Sequence, residues 1–267
     1  MAQIIYLPHG GGPMPLLNDP NHAGMIAMMG RLRPLVADSA AFIVVTAHWE
    51  EYRVTLSGGP NPGMLYDYYG FPPETYEICY PAPGTPDLAA EAQEMLAAAG
   101  IDAGLDTERG YDHGTFVPMI MLREEADIPV LQVSLLASLD PALHMAAGRA
   151  LAGLMRPGVT MIGSGLSFHN MDAFRARSGE GADQAKAFDD WLNDTLLGAD
   201  TKEADRAAAL SNWAEAPGAR FSHPREEHLL PLHVCCGAAS AAGLQGENIF
   251  REDMFGYAVS GFRWAAS

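Results

Sequence analysis

The chain has 267 residues, 48% of them hydrophobic and 18% charged, which suits one large globular domain and excludes disordered, collagen-like and coiled-coil chains. Lys and Arg total 16 against 33 Asp and Glu, a formal charge of −17. With no cationic surplus to neutralise phosphates, nucleic acid and anionic membrane surfaces are poor partners.

The opening MAQIIYLPHGGG lacks a basic segment followed by a long apolar core, and no apolar run approaches the ~20 residues of a membrane span. A cytoplasmic protein with no membrane partner is expected. Three cysteines, two of them adjacent at Cys235 and Cys236, cannot build a disulfide framework.

Taken in chain order, Gln3–Leu7, Phe42–Ala47, Arg53–Leu56, Tyr76–Tyr80, Pro129–Leu135, Val159–Ile162 and Tyr257–Phe262 read as strands. IIYL, FIVVTA and VLQVSLL are continuous apolar runs, the pattern of strands buried on both faces. Pro86–Ala99, Val117–Glu125, Pro141–Met155, Ala182–Leu197, Lys202–Trp213 and Pro224–Ser240 read as helices. Pro86 and Pro141 each follow a capping residue, Thr85 or Asp140. The alternation predicts a single α/β domain over residues 1–267, with a mostly parallel or mixed central sheet flanked by helices. The irregular stretch from Gly58 through YDYYGFPPETYEICYPAPG is a long loop, and long ordered loops tend to be functional.

Nine histidines carry most of the functional information. His9 follows IIYLP and precedes three glycines, His48 follows FIVVTA, and His169 lies just beyond VTMIGSG. Ligands of α/β sheets bind at the carboxyl ends of strands, so these three can converge on one crevice. Any one alone is most simply a hydrogen-bonded loop histidine; three in the same structural position are not. In SHPREEHLLPLHV, Pro224 and the acids after it read as a helix opening, with His228 about one turn in. Five-residue spacing keeps His223, His228 and His233 from sharing one face. His233 reads as a core histidine and His223 as a cap or a support to the site. His22 and His144 have no context beyond a structural or surface role. His113, in GYDHGTFVP, precedes a helix and has Asp112 beside it to orient the ring.

The ordered set PHGGGPM, VVTAHWE, YDYYGFPPETYEICYPAPG, GYDHGTFVP, GSGLSFHN, NWAEAP and HPREEHLLPLHVCCGAA resembles the class III extradiol ring-cleavage dioxygenases, specifically their DOPA-dioxygenase subgroup. It spans nearly the whole chain. The resemblance implies one non-haem Fe(II), which zinc can replace during purification, and a catechol opened by O₂ beside its two hydroxyls to a muconic semialdehyde. It implies that His9, His48 and His228 ligate the metal, that His169 is the acid/base, and that His113 belongs to the substrate pocket. Protocatechuate-cleaving relatives use a glutamate as third ligand, so Glu226 and Glu227 compete with His228 for that place. Phe116 stands where many relatives have tryptophan.

This chemistry needs such groups. Three facial protein ligands leave room on an ion for a bidentate catecholate and O₂. An imidazole titrating near neutrality can take and return a proton. Tyr66, Tyr68, Tyr69, Phe71 and Tyr76 supply aromatic surface to cover a ring or to form a subunit contact. Arg220 or Arg225 could meet a substrate carboxylate, although structural ion pairs are the expected role of each. Two rival readings are a zinc hydrolase on the same three histidines and a catalytically silent relative that only binds metal or ligand. No G-x-S-x-G elbow or H-E-x-x-H helix supports hydrolysis.

Overall fold

The computed structural model describes residues 2–266. Eight strands form one mixed sheet: β1 (Gln3–Pro8), β2 (Ala41–Glu51), β3 (Val54–Ser57), β4 (Ala103–Asp106), β5 (Val130–Leu136), β6 (Val159–Gly165), β7 (Gln245–Met254) and β8 (Tyr257–Ala265). Their spatial order is β4-β3-β5-β2-β6-β1-β8-β7. The four central strands β5, β2, β6 and β1 run parallel, while β8 and β7 add an antiparallel edge. The three runs expected to be buried on both faces occupy this parallel centre.

Alternate side chains feed two cores. Ile4, Tyr6, Ile43 and Val45 face the helices α2 (Pro86–Ala98), α4 (Pro141–Leu151), α6 (Ala182–Leu197) and α9 (Leu230–Ala241). Ile5, Leu7, Phe42 and Val44 face α1 (Ala23–Val36) and α3 (His113–Leu122). The remaining helices are α5 (Met171–Ala176), α7 (Glu203–Ser211) and α8 (Ala219–Ser222). Among the described residues, no helix is long and apolar enough to cross a membrane.

Two expected elements differ. Tyr76–Tyr80 is not a strand: Pro72 and Pro73 open a 3-10 turn over Pro73–Tyr76, and the chain then continues as a loop. The helix expected from Pro224 begins only at Leu230, so His228 sits in the turn before α9 and not upon it. The helix α1, the four-residue β4 and the edge strand β7 were not foreseen. β7 is largely exposed and polar, so it lacks the apolar run that marked the central strands.

The sheet positions the site directly. Pairing of β1 with β6 ends at Pro8 and Gly165, and pairing of β2 with β6 ends at Thr46 and Ser164. The register between β2 and β5 shifts between Val45 and Glu50, which frees His48 from the ladder. His9, His48 and His169 therefore all emerge at the carboxyl edge of adjacent strands.

Candidate metal and catalytic site

Five histidines, His9, His48, His113, His169 and His228, meet on a cavity of about 500 Å³. His9, His113 and His228 are buried, and His48 and His169 keep a modest exposure. The ring nitrogens of His9, His48 and His113 lie within 4.8 Å of one another; His169, Glu227 and His228 form a second such group.

Local sequence explains how each ring is held. Asp112 caps α3 by accepting from the Thr115 amide at 3.0 Å, which brings His113 to the first helical position. Pro118 has no amide proton to give the Gly114 carbonyl one turn back, so that carbonyl is free to accept from the Ser164 hydroxyl. With its proton committed there, Ser164 Oγ can only accept from His9 Nδ1, at 3.0 Å. The His228 carbonyl accepts from Tyr6 Oη at 2.9 Å and from the Leu166 amide at 3.0 Å. It passes so close to Gly165 that a Cβ there would lie 2.1 Å from it, so only glycine fits.

Two carboxylates divide the remaining rings. Asp67 Oδ1 accepts from the His113 amide at 3.0 Å and from His113 Nδ1 at 2.8 Å, while Oδ2 lies 3.3 Å from His48 Nδ1. Glu227 Oε1 lies 3.0 Å from His228 Nδ1 and 3.1 Å from His169 Nδ1. Burial would raise both carboxyls, but the hydrogen bonds from His113 hold Asp67 below its ordinary value, and those from His169 and His228 hold Glu227 well below it. Both therefore act as acceptors, so His113 and His228, like His9, carry their proton on Nδ1 and leave Nε2 a bare lone pair. The Nδ1 atoms of His48 and His169 face the same two carboxylates at 3.3 and 3.1 Å.

The Nε2 atoms of His9 and His48 are 3.1 Å apart. Burial, reinforced by neighbouring imidazoles, holds the pKa of both rings well below the ordinary histidine value. The His228 ring is pushed down to about 3, first by burial and then by the charge of a protonated His169. With His48, like His9, protonated on Nδ1, the two facing lone pairs would repel, and a cation between them would relieve the contact.

Ring spacing tests the donor set. Imidazoles sharing one ion through Nε2 at about 2.1 Å have ring centres roughly 4.5–5.2 Å apart for angles of about 90–110°. The pairs His9–His48, His9–His228 and His48–His228 are at 4.9, 5.1 and 4.9 Å. His48 and His113 are only 3.8 Å apart, too close for two ligands of one ion, and His169 stacks on His228 at 3.4 Å. Ring spacing is thus compatible with one divalent cation on His9, His48 and His228, while the donor-nitrogen distances group His9 and His48 with His113.

One expectation needs correction, and the ion pairs expected of Arg220 and Arg225 and the core place expected of His233 are present. Asp112 does not orient His113: its carboxylate is occupied by Thr46, Arg109 and the Thr115 amide, and Asp67 holds the ring instead. Glu226 is taken up by Arg220 at 2.7 Å. Arg225 pairs with both oxygens of Glu50 at 2.6 Å, and neither of these arginines lines the cavity. The lining cation is Arg175, at the mouth. His223, His233 and His144 stay outside the cluster, with ring nitrogens facing the carbonyls of Ser167, Leu210 and Asp140 respectively. His22 is buried and accepts from the Gly11 amide at 3.1 Å, steadying the glycine turn after His9. Phe116 lies behind Tyr66 and Tyr68 rather than on the cavity wall.

Sequence reasoning missed Asp67 and Arg175. Asp67 lies inside the YDYYGFP segment that marked the aromatic loop, where the tyrosines drew the attention. Tyr68 packs edge-on against His113 with ring centres 5.8 Å apart, and its hydroxyl donates to the Thr75 carbonyl at 2.6 Å. Two aromatic pairs, Tyr68–Phe71 and Phe174–Phe255, with ring centres 5.3 and 5.2 Å apart, give the cavity apolar lining.

Comparison with known proteins places the chain. The family described as "Catalytic LigB subunit of aromatic ring-opening dioxygenase" matches residues 13–262. "Dioxygenase tasH" of Hapsidospora irregularis is 44% identical over 257 residues, covering 90% of this chain and 78% of that protein. "4,5-DOPA dioxygenase extradiol" of Portulaca grandiflora is 42% identical over 214 residues, covering 79% and 76%. The Escherichia coli protein of the same description is 32% identical over 236 residues, covering 88% and 84%. The crystal structure of an uncharacterized protein from Escherichia coli K12 superposes with a TM-score of 0.76 at 26% identity, covering 99% of this chain and 100% of that one. The chain belongs to the LigB family of aromatic ring-opening dioxygenases, in its extradiol, DOPA-dioxygenase-like branch.

Proposed function

We propose that the protein is an Fe(II)-dependent extradiol dioxygenase that opens a catechol ring with O₂ to a muconic semialdehyde. His9, His48 and His228 are the metal ligands in this reading. The observation that carries it is the 3.1 Å approach of the His9 and His48 Nε2 atoms, with the His228 ring about equally distant from both. When bound, the ion supplies a centre that holds catechol and O₂ together and passes electrons between them.

The chain's own residues bind the ring and handle its protons. The apolar walls take the aromatic face and exclude water. His113 packs on His48 and His169 on His228, each with Nδ1 against a carboxylate, and both rings line the cavity, where a bare Nε2 is available to substrate. A bare Nε2 accepts a proton from a catechol hydroxyl, and the resulting imidazolium is stabilised by the carboxylate behind it. His169 is the principal acid/base: its carboxylate, Glu227, is also bonded to the ligand His228, so proton and ligand sit on one support. His113 bonds the substrate oxygen from the other side. Arg175, paired among the described residues with the exposed Asp172 at 3.6 Å, is available to an anionic substituent on the catechol.

The test is anaerobic reconstitution with Fe(II), followed by a panel of catechols and an oxygen electrode. The reading expects oxygen uptake and a coloured ring-opened product, both lost in His169→Ala. Turnover of esters or amides with Zn(II) and no oxygen consumption would establish the hydrolase instead. Catechol binding without turnover, with Fe(II) demonstrably bound, would establish a silent relative.

A further inference from the structure

Asp67 sits in the middle of the long aromatic loop, between Tyr66 and Tyr68, yet its carboxylate is turned inward to the histidine cluster. The loop has its own fastenings: Tyr66 Oη donates to the Ile78 carbonyl and Tyr68 Oη to the Thr75 carbonyl, each at 2.6 Å. Loop closure alone does not require a carboxylate facing two imidazoles. The contact with the His113 amide fixes Oδ1 as an acceptor, so the proton in the 2.8 Å contact belongs to His113 Nδ1. Oδ2, turned to His48 Nδ1 at 3.3 Å, asks the same of that ring.

We propose that Asp67 is a positioning residue that sets one tautomer, Nδ1–H, on both His48 and His113, and so registers the aromatic wall of the cavity with the metal ligand and the pocket base together. The inference deepens the proposed function, because it takes His48 as a ligand and His113 as the group facing substrate. An asparagine could not do this. Asparagine offers one oxygen and one NH₂, and the NH₂ would face a ring N–H, so one of the two rings must turn its proton to Nε2. If that ring is His48, its lone pair is lost to the metal; if it is His113, a base becomes a donor.

The test uses the full chain, free of metal and labelled with ¹⁵N-histidine. Long-range ¹H–¹⁵N correlations report the tautomer of each ring, with His48 and His113 assigned from His48→Gln and His113→Gln. The expected result is Nδ1–H at both rings in the wild type and in Asp67→Glu, and Nε2–H at one of them in Asp67→Asn. Co(II) titration, followed by its visible absorption, is expected to weaken by about 10–100-fold in Asp67→Asn, the usual cost of losing an outer hydrogen bond to a ligand. A purely structural anchor would change thermal stability without moving a tautomer. The proposal is overturned if either ring of the wild type carries Nε2–H, a measurement that stands even if Asp67→Asn does not fold. It is equally overturned if Asp67→Asn folds, keeps both tautomers and binds Co(II) to within about twofold. A wild-type chain that takes up no divalent metal defeats the dioxygenase reading, while the tautomers still decide the role of Asp67.

Discussion

His48 and His113 stand on regular elements and His9 directly follows one, whereas His169 stands in a loop and His228 in a turn. The first group leaves the end of β1, the bulged stretch of β2 and the first residue of α3, where strand pairing and a helix cap fix the backbone. The second group is fixed by a few long-range bonds: the His169 amide to the Ser222 carbonyl at 2.9 Å, and the Tyr6 hydroxyl and Leu166 amide to the His228 carbonyl. Each group has its own carboxylate, Asp67 or Glu227. The strand-borne side is a rigid frame that presents lone pairs. The turn-borne side carries the imidazole assigned to proton transfer, where a small adjustment of the backbone is tolerable. Substitutions on the two sides should therefore fail differently.

The largest effects separate ligand from non-ligand across that divide. His228→Ala should weaken Fe(II) or Co(II) binding by about a thousandfold or more, as should His9→Ala and His48→Ala, while His113→Ala stays within about tenfold. Metal titration of the four variants decides it, and a reversal of His228 and His113 would move the third ligand to the strand-borne side. Next in size, His169→Ala should keep its metal and lose about 10²–10⁴ in kcat. Loss of metal in that variant would break the division of labour.

Smaller effects sharpen the comparison. Glu227→Gln should lower kcat by about 10–100-fold, because it disturbs His228 and His169 at once. Arg175→Gln should raise KM about fivefold for catechols bearing a carboxylate and leave neutral catechols unchanged, the scale of one exposed charge contact. Equal changes for both substrate types would remove Arg175 from recognition.

The same divide accounts for what could be read from sequence. Strand-borne His9 and His48 were legible because continuous apolar runs announce the buried strands and ligands gather at their carboxyl ends. His228 was found through the resemblance, on a helix that does not begin until Leu230; the prolines at 224 and 231 carry the same local signal, and only one opens the helix. Asp67 escaped because a carboxylate 46 residues before His113 has no spacing rule to mark it. The role of Pro118 in freeing a carbonyl for Ser164, and through it a proton position on His9, is a tertiary effect of three segments that no local pattern contains.

A histidine outside the divide supplies the smallest prediction and a control on all the others. His233 lies in α9, wholly buried, with Nε2 facing the Leu210 carbonyl at 3.0 Å. Burial pushes its ring down to about 4, against the partial support of the Leu210 and Leu229 carbonyls. An unfolded histidine binds its proton near pH 6.5, so between these values the unfolded chain holds more protons than the folded one. Its contribution is therefore fully present above about pH 6.5 and is lost progressively as pH falls toward 4. Between pH 7 and pH 6 the loss is about 0.7 kcal/mol. His233→Gln keeps a donor for the carbonyl and removes the titration, so the drop in urea midpoint between pH 7 and pH 6 should shrink by that amount. Metal affinity and kcat should not move. A change in either would mean that the core histidine communicates with the site, and that the contrast between frame and turns is not the whole account of how the cluster is supported.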